Sequence, residues 1–144
     1  MGDYDHLKLE NQLCFPLYAA SREIIKKYRP FLDEIELTYT QYVAMMVLWE
    51  HERCSVKELG ERLYLDSGTL SPLLKSLEAK GFITRSRSEE DERTVMVEPT
   101  QRGKKLREKA STVPEAVGRC VDLSPEEAAM LYKLLYKLLG KSSD

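Results

Sequence analysis

The stretch from Ser55 to Val97 changes its hydrophobic period once, and that change constrains the fold more than any other feature of the chain. Up to Phe82 the apolar residues recur at three- and four-residue steps. Val56, Leu59 and Leu63 form one set, and Leu70, Leu73, Leu74 and Leu77 a second. Such spacing places one apolar stripe on each of two short helices. Only Tyr64-Leu65-Asp66 separates them. Two helices joined by so brief a turn form a helix-turn-helix, whose second helix can lie in a DNA major groove. That second helix starts either at Ser67 or at Ser71, the latter as cap with Pro72 in the first helical position. From Phe82 the period becomes two. Phe82–Arg87 and Arg93–Val97 alternate around the polar stretch Ser88–Glu92, which predicts a hairpin, or wing.

The flanks read as helices. Leu9, Leu13, Leu17, Ala20 and Ile24 mark a first helix over Lys8–Tyr28, ended by Arg29-Pro30. Pro16 either kinks this helix or delays its start. Thr38 and Gln41 fit a capping box. A buried second helix then runs through Tyr42, Met45, Met46, Leu48 and Trp49. Thr100 caps a helix reaching Lys109 and beyond, with Arg102, Lys104, Lys105, Arg107 and Lys109 on its exposed face, until Pro114 interrupts or bends it. Ser124-Pro125-Glu126-Glu127 combines a capping box with proline at the first helical position, and Gly140 supplies a left-handed stop. The stripe of Leu131, Leu134, Leu135, Leu138 and Leu139 is wide for so small a chain. A two-fold partner would bury it together with the first helix, so a homodimer is expected.

Composition narrows the function classes. A chain of 144 residues is the size of one domain and needs neither disulfides nor metal to hold a core. No apolar run approaches the ~20 residues of a membrane helix, and Met1–Glu10 lacks a signal-peptide pattern, so a cytoplasmic protein with no membrane partner is expected. The three cysteines, Cys14, Cys54 and Cys120, have no C-x-x-C spacing, which disfavours both a disulfide framework and a zinc ribbon. His6 and His51 form no hydrolytic or metal-ligating arrangement, so neither an enzyme nor a cofactor is expected. The net charge of −2 argues against indiscriminate nucleic-acid binding, which relies on many phosphate contacts. DNA recognition has to rest on local pattern.

The order of these elements, with Asp66-Ser67-Gly68-Thr69-Leu70, Asp91-Glu92-Arg93 and Thr100-Gln101-Arg102-Gly103, resembles the MarR family of bacterial transcriptional regulators over nearly the whole chain. Leu9-Glu10-Asn11-Gln12-Leu13-Cys14-Phe15, followed by Tyr28, Tyr39 and Trp49-Glu50-His51-Glu52, is similar to the organic-hydroperoxide-sensing, OhrR-like branch. The resemblance implies a mainly α fold with a small β wing, a winged helix-turn-helix flanked by N- and C-terminal dimerisation helices. It places one domain over residues 1–144. Within it, about 1–38 and 112–144 serve dimerisation and about 39–111 serve DNA binding.

The resemblance also implies roles for particular residues. Ser67, Thr69 and Ser71 lie on exposed early turns of the recognition helix, where hydroxyls reach base edges or phosphates, and Lys75 is placed for phosphate. Arg93 enters the minor groove, Arg85 and Arg87 bond phosphates or brace the hairpin, and Asp91 holds an arginine by a bidentate pair.

Cys54 reads as an inert small hydrophobe in a polar connection. Cys14 differs. If Pro16 delays the helix start, Cys14 sits at a helix amino terminus, whose partial positive charge favours an anionic sulfur nucleophile. By resemblance it is the redox sensor, held by the hydroxyls of Tyr28 and Tyr39, with Tyr18 as a contact that rearranges on oxidation. The sulfenic acid then condenses with Cys120 of the other subunit or with a low-molecular-weight thiol. The reduced dimer binds double-stranded operator DNA, and oxidation by an organic hydroperoxide releases it and derepresses a detoxification gene. Three alternatives stand beside this reading: a regulator released by a small aromatic or anionic ligand, a thiol peroxidase, and a dimerisation module without DNA activity.

Overall fold

The structure, a computed structural model, describes residues 2–140. Two single-turn 3₁₀ helices, Asp5–Leu7 and Leu9–Asn11, precede the first α-helix, α1, at Cys14–Asp33. The helix therefore starts late rather than at Lys8. The side-chain amides of Asn11 and Gln12 donate to the carbonyls of Asp5, His6 and Lys8, which holds the preceding chain in turns. Pro16 is the third helical residue, where its missing N–H has no intrahelical acceptor to lose. At the other end α1 runs through Pro30, against expectation. The ring removes the donor that would serve the Lys26 carbonyl. Buried Leu32, Ile35 and Leu37 anchor the following turn in the core, so packing outweighs that local loss.

Helix α2, Tyr39–His51, begins at the expected capping box: Gln41 N–H donates to Thr38 Oγ1 at 3.3 Å and Thr38 N–H to Gln41 Oε1 at 3.1 Å. It runs through the middle of the core, with Ala44, Met45 and Leu48 fully buried. Met46 points outward instead of into the core, and Trp49 is half-buried, its indole N–H donating to the Gly103 carbonyl at 2.9 Å.

The helix-turn-helix is α3, Val56–Leu63, and α4, Ser67–Ala79. Of the two possible starts for α4, Ser67 is the one adopted. Asp66 caps it by accepting from the Thr69 N–H at 2.7 Å, and Pro72 lies inside the helix. Tyr64 makes the turn in the left-handed region, φ 57°. Leu70, Leu73, Leu74 and Leu77 all face inward, and each such side chain contributes roughly 2 kcal/mol of burial.

The wing is a three-stranded antiparallel sheet. Strands β2, Ile83–Arg87, and β3, Val95–Pro99, form the expected hairpin, with Arg87 opposite Val95. A third strand, β1, Cys54–Ser55, pairs on the other edge of β3, placing Cys54 opposite Val97. Cys54 thus lies in the core rather than in a polar connection, and burial raises its thiol pKa, with a smaller contribution from Glu58.

Helix α5, Gln101–Ala110, is capped by Thr100 and stops before Pro114, which falls in the first turn of α6, Val113–Gly118. Helix α7, Pro125–Leu138, starts on the Ser124–Glu127 capping box and ends at Gly140, φ 79°. Helices α1 and α7 remain largely uncovered. Leu13 is 81% exposed and Leu138 68%, with Leu9, Leu17, Tyr18, Met130, Leu131 and Leu134 exposed beside them. Apolar surface of this extent is what an oligomer interface buries. Among the described residues, no helix is long and apolar enough to cross a membrane.

Candidate DNA interface and thiol site

The outward face of α4 carries Ser67, Thr69, Ser71 and Lys75, all exposed, opposite the buried leucines. The leucine stripe dictates this arrangement, because fixing one helical face inward fixes the other outward. Small side chains at Ser67, Gly68 and Ser71 let the helix backbone approach another surface closely.

The wing arginines divide into two kinds. Arg85 pairs with Glu78 of α4 at 3.1 Å, and its hydrogen bonds hold that carboxyl below the usual carboxylate range. Arg87 donates to the Glu92 carbonyl at 2.7 Å across the loop. Both therefore brace the hairpin. Arg93, by contrast, projects from the tip with its side chain 95% exposed. Asp91 meets it, though not as the expected bidentate pair. The single approach is 3.7 Å, because the Asp91 carboxylate also accepts from the Arg93 backbone N–H at 3.0 Å and the Thr94 hydroxyl at 3.4 Å. Asp91 shapes the turn first and steers the guanidinium second. The acids Glu89, Glu90 and Glu92 are exposed at the same loop.

The expected thiol site is split. Cys14 is the first residue of α1 and exposed. Tyr28 lies on the same helix, 14 residues on, or about 21 Å along its axis at ~1.5 Å per residue. Tyr39, the first residue of α2, packs on Tyr28 with ring centroids 4.9 Å apart. The two tyrosines meet each other, but not their own chain's cysteine. Burial raises the pKa of both phenols; for Tyr39, proximity to Tyr28 and Tyr136 adds to it. They therefore stay protonated well beyond neutral pH and available as donors to an anion.

Sequence reasoning missed two members of this cluster. Tyr42 packs tilted against both rings, 5.9 Å from Tyr28 and 6.2 Å from Tyr39, and Tyr136 of α7 reaches Tyr39 electrostatically. The available signal was the i, i+3 spacing of Tyr39 and Tyr42 and the i, i+4 pair Tyr132 and Tyr136. Tyr18 lies one turn beyond Cys14, exposed, its hydroxyl accepting from Arg22 at 3.0 Å. Cys120 is exposed just past α6, its Sγ 3.5 Å from the Ala116 carbonyl.

Comparison with known proteins places the chain among transcriptional regulators. The family model described as transcriptional regulator SarA/Rot covers residues 22–110. The organic hydroperoxide resistance transcriptional regulator of Bacillus subtilis is 54% identical over 136 residues, covering 94% of this chain and 92% of that protein. Reduced AbfR of Staphylococcus epidermidis bound to DNA superposes with TM-score 0.77 at 32% identity, covering 94% of each chain. Overoxidized AbfR bound to DNA gives TM-score 0.77 at 32% identity, covering 96% of this chain and 98% of that one. With a winged helix-turn-helix built on these residues, and relatives that match nearly its whole length, the chain belongs to the SarA/Rot and MarR-type family of transcriptional regulators, in the organic-hydroperoxide-resistance branch.

Proposed function

We propose that the chain is a redox-sensing transcriptional repressor. In this reading it acts as a cytoplasmic homodimer whose reduced form binds double-stranded operator DNA. Oxidation of Cys14 by an organic hydroperoxide releases the DNA and derepresses a peroxide-detoxification gene. The observation that carries the reading is the split site: an exposed Cys14 at a helix start, a tyrosine pair about 21 Å away along the same helix, and uncovered apolar faces on α1 and α7. Pairing α1 and α7 across a two-fold axis buries those faces and delivers each Cys14 to the Tyr28 and Tyr39 of the partner subunit. Residues of about 1–38 and 112–144 then form the dimerisation region, and about 39–111 the DNA-binding region.

The chemistry follows from the groups brought together. The Cys14 thiolate, stabilised by two phenolic donors, attacks the terminal oxygen of the hydroperoxide. The O–O bond breaks, a sulfenic acid forms, and the alkoxide leaves with a proton as the alcohol. Sulfur loses two electrons and the hydroperoxide gains them. Condensation with the partner's Cys120, or with a low-molecular-weight thiol, makes an S–S bond and expels water. Tyr18, one turn away on the same surface, is the side chain a new substituent on Cys14 displaces first.

For DNA, α4 enters the major groove with Ser67, Thr69 and Ser71 at base edges or phosphates and Lys75 on phosphate. Arg93 enters the minor groove from the wing, oriented by Asp91. Arg85 and Arg87 keep the wing rigid. This division explains how a chain of net charge −2 binds DNA, since few cations are used and each is placed.

Mixed dimers test the arrangement. A dimer of one Cys14→Ser subunit and one Tyr28→Phe/Tyr39→Phe subunit holds one complete site if the site spans the two-fold axis, and none if it lies within a chain. Cumene hydroperoxide should generate sulfenate, trapped with dimedone, in the mixed dimer at about half the wild-type amplitude and at the wild-type rate. A rate no faster than in the double-phenylalanine homodimer contradicts the shared site. Non-reducing electrophoresis of Cys120→Ser decides the second thiol: loss of the covalent dimer identifies Cys120, and its persistence rules that pairing out.

A further inference from the structure

Gln41 does more than close the capping box of α2. It is only 4% exposed, and every polar atom of its side chain is engaged. Oε1 accepts from the Thr38 N–H at 3.1 Å and from Lys80 Nζ at 2.8 Å, while Nε2 donates to Ser76 Oγ at 2.8 Å. Both partners of the oxygen are obligatory donors, so the orientation of the amide is chemically determined. Ser76 lies in the last turn of α4, and Lys80 is its C-cap. The same ammonium also donates to the Glu36 carbonyl at 2.7 Å. Glu36 holds a positive φ of 60°, and its carboxylate accepts from Arg102 at 3.2 Å.

These bonds fasten two places that matter separately. One is the carboxy-terminal end of α4. The other is the turn between α1 and α2, which lies between Tyr28 and Tyr39, with Tyr39 immediately after the Thr38 cap. Apolar contact between α2 and α4 sets how closely they pack, but it is non-directional. A buried amide holding three directed bonds does not slide without leaving a polar group unpaired.

We propose that Gln41, together with Lys80, is the positioning group that locks the recognition helix to the tyrosine pair, so that displacement of Tyr39 on Cys14 oxidation moves α4 through this clamp. The inference rests on the redox reading above. Gln41 is buried and the Lys80 ammonium is engaged by the Glu36 carbonyl and the Gln41 amide, so neither is among the groups assigned above to DNA or to the thiol. A purely structural role would weaken operator binding of the reduced and oxidised dimers alike, whereas a clamp sets the ratio between them.

The test uses the full-length dimer as wild type, Gln41→Met and Lys80→Met, with a duplex from the promoter of its own gene. Operator Kd is measured before and after cumene hydroperoxide, and dimedone trapping verifies Cys14 oxidation in each sample. Both variants should be oxidised at the wild-type rate, yet their ratio of oxidised to reduced Kd should fall on the order of tenfold, within the range that coupling residues reach. Lys80→Met keeps the aliphatic stem at a half-exposed position, so the test survives a Gln41 variant that fails to fold. Wild-type release with ratios unchanged to within about twofold in folded Lys80→Met overturns the clamp alone. A wild-type dimer that is oxidised at Cys14 but holds the operator as tightly as before overturns the redox reading and the clamp together.

Discussion

Replacing Gly103 by alanine should be among the most damaging single-methyl additions this fold can receive. A Cβ there would fall well inside van der Waals contact of the Phe82 carbonyl oxygen, 3.1 Å from its carbon, and 3.2 Å from Met45 Cε. The methionine end can move, but the backbone carbonyl is held, since the Thr100 N–H donates to it at 3.0 Å. Helix α5 must therefore back away from the hairpin. Overpacking of this kind costs about 1–3 kcal/mol. Displacing the Gly103 carbonyl also weakens the Trp49 indole bond, worth about 1 kcal/mol, and the better helix propensity of alanine returns about 1 kcal/mol. The net is about 1–3 kcal/mol. For 144 residues the unfolding entropy is about 0.3 kcal/mol/K, which makes the expected fall in Tm about 3–10 °C. Trp49 is the only tryptophan, so its fluorescence reports α2–α5 contact directly while circular dichroism follows the helices. Both are read at equal protein concentration, because Tm of a dimer depends on it. The contrasting substitution is Gly118→Ala, where no atom lies within 4 Å of the added carbon, and Tm should hold or rise slightly. A Gly103→Ala protein melting within 2 °C of wild type, roughly 0.6 kcal/mol, would refute the close-contact argument.

Three further outcomes follow from the same geometry. Arg93→Ala should weaken operator binding and reduce the slope of log K against log salt by about two units, roughly one from each subunit of the dimer, whereas an unchanged slope in a salt titration removes Arg93 from the interface. Tyr28→Phe and Tyr39→Phe should each slow sulfenate formation by about ten- to a hundredfold, since a hydrogen bond to a charged group is worth about 1.5–3 kcal/mol; stopped-flow rates equal to wild type exclude them as donors. Stability should fall at both pH extremes in denaturant titrations. The carboxyls of Asp66, Glu78 and Glu127 titrate below their unfolded values near 3.8 and 4.5, held by the Thr69 N–H, by Arg85 and by the Ser124 N–H respectively. Their contribution is present above those values and is lost as pH falls through the lower folded ones. The phenols of Tyr28, Tyr39 and Tyr42 are raised above 10 by burial, so the unfolded chain ionises first and stability declines as pH passes 10. A profile flat from pH 3 to 11 contradicts both assignments.

Features whose partners lie close in sequence were legible from it. The capping boxes at Thr38 and Ser124 place both members within three residues, and both form. The leucines of α4 specify its inward face, and the wing alternation marks the β2–β3 hairpin, because the side-chain period alone decides which way each residue points. What could not be read depends on distant partners. Strand β1 is two residues long, too short for any period, and exists only because Val97 lies across from Cys54. The continuation of α1 through Pro30 is decided by Leu32, Ile35 and Leu37 meeting the core. Gln41 shows its role in the cap, but its bonds to Ser76 and Lys80 span 35 and 39 residues. At the thiol site the residue types were visible, as was the 14-residue separation of Cys14 and Tyr28 along one predicted helix, while the packing of Tyr39 of α2 on Tyr28 emerged only from the structure.

Operator binding by the wild type and by Cys14→Ser, each with and without cumene hydroperoxide, tests the switch most directly. Both reduced dimers should bind alike, hydroperoxide should weaken wild-type binding by at least tenfold, and the Cys14→Ser complex should stay intact. Equal responses of the two proteins to the oxidant would contradict the switch.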